Sequence, residues 1–264
     1  MKRKALWLWV ALALTGCSGL AWAKPFKGAE VLSLQEVTYG KWEVRMLAAQ
    51  GSGILSTFFL YKRDSHKPGV RWEEVDIEIF GQHAARRWQS TIITGVGQLL
   101  MSKEVHSNPF SMSAAYHTFT LEWTPSQVVW SVNGREVRRV GGEQVLSLTS
   151  PQTFRFNLWV SSNVSWVGPF DPEVLPQHQY VDWIRFWTYT PGAGTGGSDF
   201  TFQWQDDFNR FDASRWSKAD ATFDENLADF VPANVSVRDG KLVLSLTREG
   251  VEGFSGKVPP DTAE

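Results

Sequence analysis

From residue 30 onward the chain is a succession of short runs in which apolar and polar residues alternate or β-branched and aromatic residues crowd together. KWEVRML, ILSTFFLYK, EVDIEIF, WQSTIIT, HTFTLEW, TFRFNLWV, YVDWIRFW and FTFQW follow one another in this way. A period of two predicts strands with one buried face, and no stretch carries the period of a long amphipathic helix. Two hairpins are legible, VVWSVNGREVRRV turning at Asn133-Gly134 and NVSVRDGKLVLSLTR turning at Asp239-Gly240, both dipeptides that tolerate the positive φ of tight turns. Many short strands separated by turns predict an antiparallel β-sandwich. The Gly-rich segment TPGAGTGGSDF, residues 190 to 200, has the composition of a linker. Only about 60 residues follow it, too few for a sizeable core of their own. Residues 190–199 are therefore expected to be a surface connection inside one domain spanning residues 24–264.

The first 23 residues break the pattern. Lys2, Arg3 and Lys4 precede the apolar run ALWLWVALAL, and TGCSGLAWA follows; this is the layout of a bacterial export signal, too short in its apolar part to span a bilayer comfortably. Two cleavage readings stand side by side. LTGC leaves Cys17 as a lipidated N-terminus, whereas Ala21 and Ala23 suit ordinary signal peptidase. Either way the domain is expected to work outside the cytoplasm, as a free or a lipid-anchored protein, and nothing demands more than a monomer.

Composition narrows the chemistry. Cys17 is the one cysteine, so the mature domain has no disulfide, thiolate nucleophile or cysteine-based metal site. The formal net charge is -2 and becomes more negative once the basic signal residues are gone. With no basic cluster interleaved with aromatics, nucleic acid is not the expected partner. The five histidines lack metal-ligand spacing, and His117 reads as structural. There are 14 tryptophans, of which Trp7, Trp9 and Trp22 fall in the signal. Indoles stack on the C–H faces of sugars, which points to carbohydrate, although most tryptophans serve as core. Trp123, Trp130, Trp183 and Trp204 are expected in the core.

The chemistry concentrates in GVRWEEVDIEIFGQ, residues 69 to 82. On a strand, Glu74, Asp76 and Glu78 share one face while Val75, Ile77 and Ile79 share the other. Three adjacent carboxylates repel, and at least one pKa must rise. A glycosidase needs such a pair of acids, one protonated and one ionised. Alpha carbons four residues apart on a straight strand are roughly 13 Å apart, so the two glutamates would have to lean together on a concave sheet, with Asp76 free to hydrogen-bond one of them. A solvated strand face and a calcium cluster remain alternatives from spacing alone.

WEEVDIEIFG resembles the catalytic strand of glycoside hydrolase family 16, Glu-x-Asp-x-Glu, in the form without an extra residue before the last glutamate. The resemblance continues through TYGKWEVRM, YHTFTLEWTP, VNGREV, FRFNLW and YVDWIRFW, over nearly all of residues 24 to 257. In most of the family the segments resembling DDFN, W.KAD and NVSVRDGKLVLSLTR come first; here they come last, after the Gly-rich connection. The order is similar to that of the circularly permuted bacterial 1,3-1,4-β-glucanases. The resemblance implies a concanavalin-like jelly roll with a concave substrate cleft and a retaining endo-hydrolase of mixed-linkage β-glucan. It implies Glu74 as nucleophile, Glu78 as acid/base and Asp76 as their electrostatic partner. It further implies a sugar cleft made by Phe59, Tyr61, Trp72, Gln89, Glu104, Arg155, Asn157, Trp159 and Trp166. No cofactor is implied for catalysis, but a structural calcium is, with Asp182, Asp207 and the Gly240 carbonyl as ligands; oxygen donors suit that hard cation. Ala221, Thr91 and Leu100 depart from the pattern, standing where the permuted relatives carry a tryptophan and polar cleft residues. Laminarin or xyloglucan remains an alternative substrate, and a non-catalytic carbohydrate-binding sandwich an alternative of another class.

Overall fold

The computed structural model describes residues 23–262, so the segment up to residue 22 that is expected to be an export signal, with Cys17, lies outside the described residues. Among the described residues sixteen strands make up the fold. In chain order they begin with β1 (Phe26–Ser33), β2 (Gly40–Leu47), β3 (Ile54–Tyr61), β4 (Trp72–Phe80), β5 (Arg87–Val96) and β6 (Gln98–Ser107). They continue with β7 (His117–Trp123), β8 (Gln127–Val132), β9 (Arg135–Gly141), β10 (Thr153–Val160) and β11 (Gln177–Tyr189). The last are β12 (Phe200–Asp206), β13 (Trp216–Lys218), β14 (Ala228–Phe230), β15 (Val235–Arg238) and β16 (Lys241–Arg248). The helical pieces among the described residues are single turns of three or four residues, and none is long and apolar enough to cross a membrane.

The strands form one large sheet, antiparallel except for the β1–β14 pair, folded into two layers. The inner layer runs β6-β5-β4-β3-β10-β1 and the outer layer β16-β11-β2-β7-β8-β9. Strand β1 joins them: Ala29–Leu32 pair with β10, while Phe26 and Lys27 pair with β16. The bend falls at Gly28, where a Cβ would stand 2.6 Å from the Leu158 carbonyl oxygen, so this close approach of two backbones requires glycine.

Alternation builds the core between the layers. Val75, Ile77 and Ile79 of β4 meet Trp42, Phe119, Leu121 and Trp130 of the outer layer, all essentially without exposure. Each fully buried large apolar side chain contributes about 1.5–3 kcal/mol. The Trp130 indole also donates to the Asp76 carbonyl oxygen at 3.0 Å, tying the outer layer to the acidic strand. Trp123, Trp130 and Trp204 belong to this core or pack on it. Trp183 does not: it is half-buried at the surface beneath the Arg185 guanidinium, 4.2 Å from its ring.

Both hairpin turns fall where the dipeptides put them, with positive φ at Asn133, Gly134, Asp239 and Gly240. The Gly-rich segment closes the β11–β12 hairpin: Tyr189 pairs with Phe200, and Gly194 donates to the Ser198 carbonyl at 2.7 Å. The strands beyond it hydrogen-bond into the same layers, β12 to β11, β13 and β14 to β1, and β16 to β11.

Candidate active site

β4 pairs with β3 and β5 through unbroken registers over its length. No bulge interrupts the period of two, so Trp72, Glu74, Asp76 and Glu78 stay on one face while the apolar set stays on the other. Cross-strand partners share a face; Thr57, Phe59 and Tyr61 on β3 and Gln89 and Thr91 on β5 therefore flank the acids. One strand further, Thr153, Arg155, Asn157 and Trp159 of β10 extend the same surface, and Glu30 of β1 lies opposite Asn157.

Hydrogen bonds distinguish the three acids. The Trp72 indole N–H donates to Glu74 Oε2, and Asp76 shares a hydrogen bond with Glu74. Glu78 Oε2 accepts from Gln89 Nε2 and from Thr91 Oγ1, both at 2.9 Å. Gln89 is oriented in turn by the Trp166 indole, which donates to its Oε1 at 3.2 Å. Burial pushes Glu74 and Glu78 each up to about 7, although the Trp72 and Asp76 hydrogen bonds and Arg155 act downward on Glu74, and the Thr91 and Gln89 hydrogen bonds act downward on Glu78. Asp76 is raised well above the carboxylate range by burial and by the charges of Glu74 and Glu78 on either side. A buried acid between two others keeps its proton and serves as a donor, here to Glu74. The three acids therefore share their protons, and none titrates independently of the others.

A second polar cluster lies on the β10 side. Arg155 covers the Tyr61 ring, 4.5 Å from its centroid, donates to Glu30 Oε1 at 3.0 Å and to Thr153 Oγ1 at 2.8 Å. Asn157 Nδ2 donates to Glu30 Oε2 at 3.2 Å, and Thr57 Oγ1 donates to Asn157 Oδ1. Burial raises Glu30 despite the opposing Arg155 charge. Trp159, Trp166 and Phe80 make an aromatic corner, with centroids 6.1 Å apart for the two indoles and 5.8 Å for Phe80 and Trp166.

Eight of the nine residues expected to bind sugar thus line one surface with the acids: Phe59, Tyr61, Trp72, Gln89, Arg155, Asn157, Trp159 and Trp166. Glu104 does not. It pairs with Ser90, whose side chain bonds His106 and Arg138, so the alternation of β6 turns Glu104 away from the cleft, 3.4 Å from Arg138 and 3.8 Å from His106. Leu100, opposite Thr94, faces away with it. Thr91, a departure from the resemblance, nevertheless donates to Glu78. His117 is structural, stacked 4.2 Å from Phe110 and bonded to Ser111 and Asn133.

Sequence reasoning missed several residues of this surface, among them Glu30, Phe223 and Glu225. Glu30 was visible only as one carboxylate inside a strand otherwise buried on both faces. Phe223 packs edge-on against Trp159 at 4.9 Å, and Glu225 accepts from Ser161 Oγ at 2.6 Å while its charge acts on Glu78. Their distance along the chain from β4 gave no signal.

Two of the residues implied as calcium ligands have protein partners in this structure. Asp182 is already neutralised by the Lys241 ammonium at 2.7 Å, next to Gly240 in sequence, and a cation held against the carboxylate opposes a second one. Asp207 accepts from Gln205.

Comparison with known proteins gives a concordant result. The family model described as "Glycosyl hydrolases family 16" matches residues 12–185. A beta-glucanase of Fibrobacter succinogenes is 48% identical over 254 residues, 96% of this chain and 72% of that protein. A beta-glucanase of Brevibacillus brevis is 32% identical over 170 residues, 64% of this chain and 62% of that protein. The solved structure of the Bacillus licheniformis beta-glucanase superposes with a TM-score of 0.51 and 27% identity, covering 60% of this chain and 70% of that one.

Proposed function

Because the chain belongs to glycosyl hydrolases family 16, we propose that it is a β-glucanase, and more narrowly a retaining endo-hydrolase of mixed-linkage 1,3-1,4-β-glucan. The observation that carries this reading is the carboxyl trio on one unbulged strand, with both outer acids poised near pH 7. Glu74, given donors by Trp72 and Asp76, attacks the anomeric carbon as the carboxylate. Glu78, held by Gln89 and Thr91, protonates the departing oxygen, then takes a proton from the water that releases the sugar with its stereochemistry retained. Asp76 stays protonated between them and stabilises the nucleophile's charge. Trp72, Trp159 and Trp166 supply ring faces for stacking, and Arg155, Asn157 and Glu30 hold hydroxyls.

The circularly permuted order belongs to the same proposal. The Fibrobacter relative aligns along 96% of the chain, whereas the Brevibacillus relative stops at 64% and the Bacillus structure at 60%, as expected if only the first kind shares the order of segments beyond β11. Export is proposed from residues 1–23, and mass spectrometry of the mature N-terminus distinguishes a lipidated Cys17 from cleavage after Ala23.

Release of reducing sugar from barley β-glucan, laminarin and xyloglucan by the wild type and by Glu74→Gln tests the activity. Release from barley glucan alone, abolished by the substitution, is the expected result. Rapid turnover of laminarin overturns the specificity, and binding without release from any polymer leaves a carbohydrate-binding sandwich.

A further inference from the structure

The surface that carries the acids continues beyond them onto β6. The registers place Glu74 opposite Ile93 and Ile93 opposite Met101; Asp76 leads through Thr91 to Lys103, Glu78 through Gln89 to Val105, and Trp72 through Gly95 to Leu99. Partners across a ladder share a face, so Leu99, Met101, Lys103 and Val105 stand on the cleft side. Two strand spacings put that row about 10 Å from the row of carboxyls.

Three of these four residues are aliphatic and open to solvent: Leu99 is 37%, Met101 51% and Val105 42% exposed. β6 is also the last strand of the inner layer. An exposed apolar edge invites wrong pairing, and natural edges are usually blunted with charge. An aliphatic row in such a position points to a contact made in function.

Hydrogen bonds on Glu78 and charges beside Glu74 give the row a direction. Glu78 is held by Gln89 and Thr91, both on β5, so the acid/base is anchored toward β6. Glu74 feels Arg155 and Glu30, on β10 and β1, at the opposite side of β4. In the roles given above, the ring under attack lies on the nucleophile's side and the departing sugar on the acid's side. The departing part of the chain then crosses β5 and reaches β6.

We infer that Leu99, Met101 and Val105 form an aliphatic ledge that packs against the C–H faces of sugars on the leaving-group side of the cleft, with the Lys103 ammonium donating to their hydroxyls. This assignment rests on the glycosidase reading. The ledge grips polymer without touching the reacting atoms, so its effect appears in the binding of long substrates.

The double variant M101S/V105S and the single variant Lys103→Ala test it, with circular dichroism to confirm folding; the replaced side chains are exposed, and the changes leave the core intact. Each is assayed on barley β-glucan and on a β-glycosyl fluoride of a glucose oligosaccharide, in which fluoride is the whole leaving group. For the double variant the ratio of kcat/KM on polymer to that on fluoride is expected to fall about tenfold, mainly through KM on polymer; for Lys103→Ala it is expected to fall by a smaller factor. An unchanged ratio in the double variant overturns the ledge, as does an equal loss on both substrates. A wild-type dimer that M101S/V105S dissolves overturns it by giving the row to a second copy. A wild type inactive on both substrates instead overturns the glycosidase reading beneath it.

Discussion

The Trp72 indole N–H donates to the Glu74 carboxylate two residues further along the same strand. Side chains at i and i+2 share a face, so the strand geometry itself aims this donor at the nucleophile. A donor to the charged form lowers a carboxyl pKa, and here it opposes the burial that drives Glu74 to about 7. Trp72→Phe keeps a ring in the cleft and deletes the donor. The Glu74 pKa is then expected to rise, and the acidic limb of the kcat/KM profile to move to higher pH by about half to one pH unit. An unmoved limb would show that the indole only shapes the cleft.

Glu78 couples the site to stability. Its folded pKa of about 7 lies above the ordinary 4.5, so the fold favours the protonated carboxyl. That contribution is fully present below about pH 4.5 and is lost as pH rises through about 7. Glu78→Gln removes the ionisable group and keeps its shape. Its melting temperature is expected to pull ahead of the wild type between those two values and to keep the lead above them, by on the order of a few kcal/mol in stability. Thermal melts across that range check this, and a constant offset at all pH values contradicts it.

Glu73 lies next to the nucleophile but on the core side of β4, without exposure. It accepts from the Thr149 and Ser150 amides at 2.9 and 3.0 Å and from Ser150 Oγ at 2.6 Å, pinning the connection before β10 to the acidic strand. Glu73→Ala removes the one acceptor that these three donors share, in a pocket where Glu73 itself has no exposure. A loss of about 2–4 kcal/mol by urea unfolding is expected, with a smaller loss for Glu73→Gln, whose amide oxygen still accepts. Equal losses for the two variants would assign the effect to packing.

The sequence by itself determined what depends on local repetition. Alternation fixed the strands, the Asn133-Gly134 and Asp239-Gly240 dipeptides fixed two turns, and the Glu74, Asp76 and Glu78 spacing placed three acids on one face, because a pleat turns a spacing of two into a shared direction. The tertiary structure decided what depends on pairing between distant strands. Cross-strand register turned Glu104 from the cleft toward Arg138, brought Glu30 beside Arg155 and Asn157, and set Lys241 against Asp182. Those outcomes follow from which residue lies opposite which across a ladder, and a one-residue change in register would send each of these side chains to the other face.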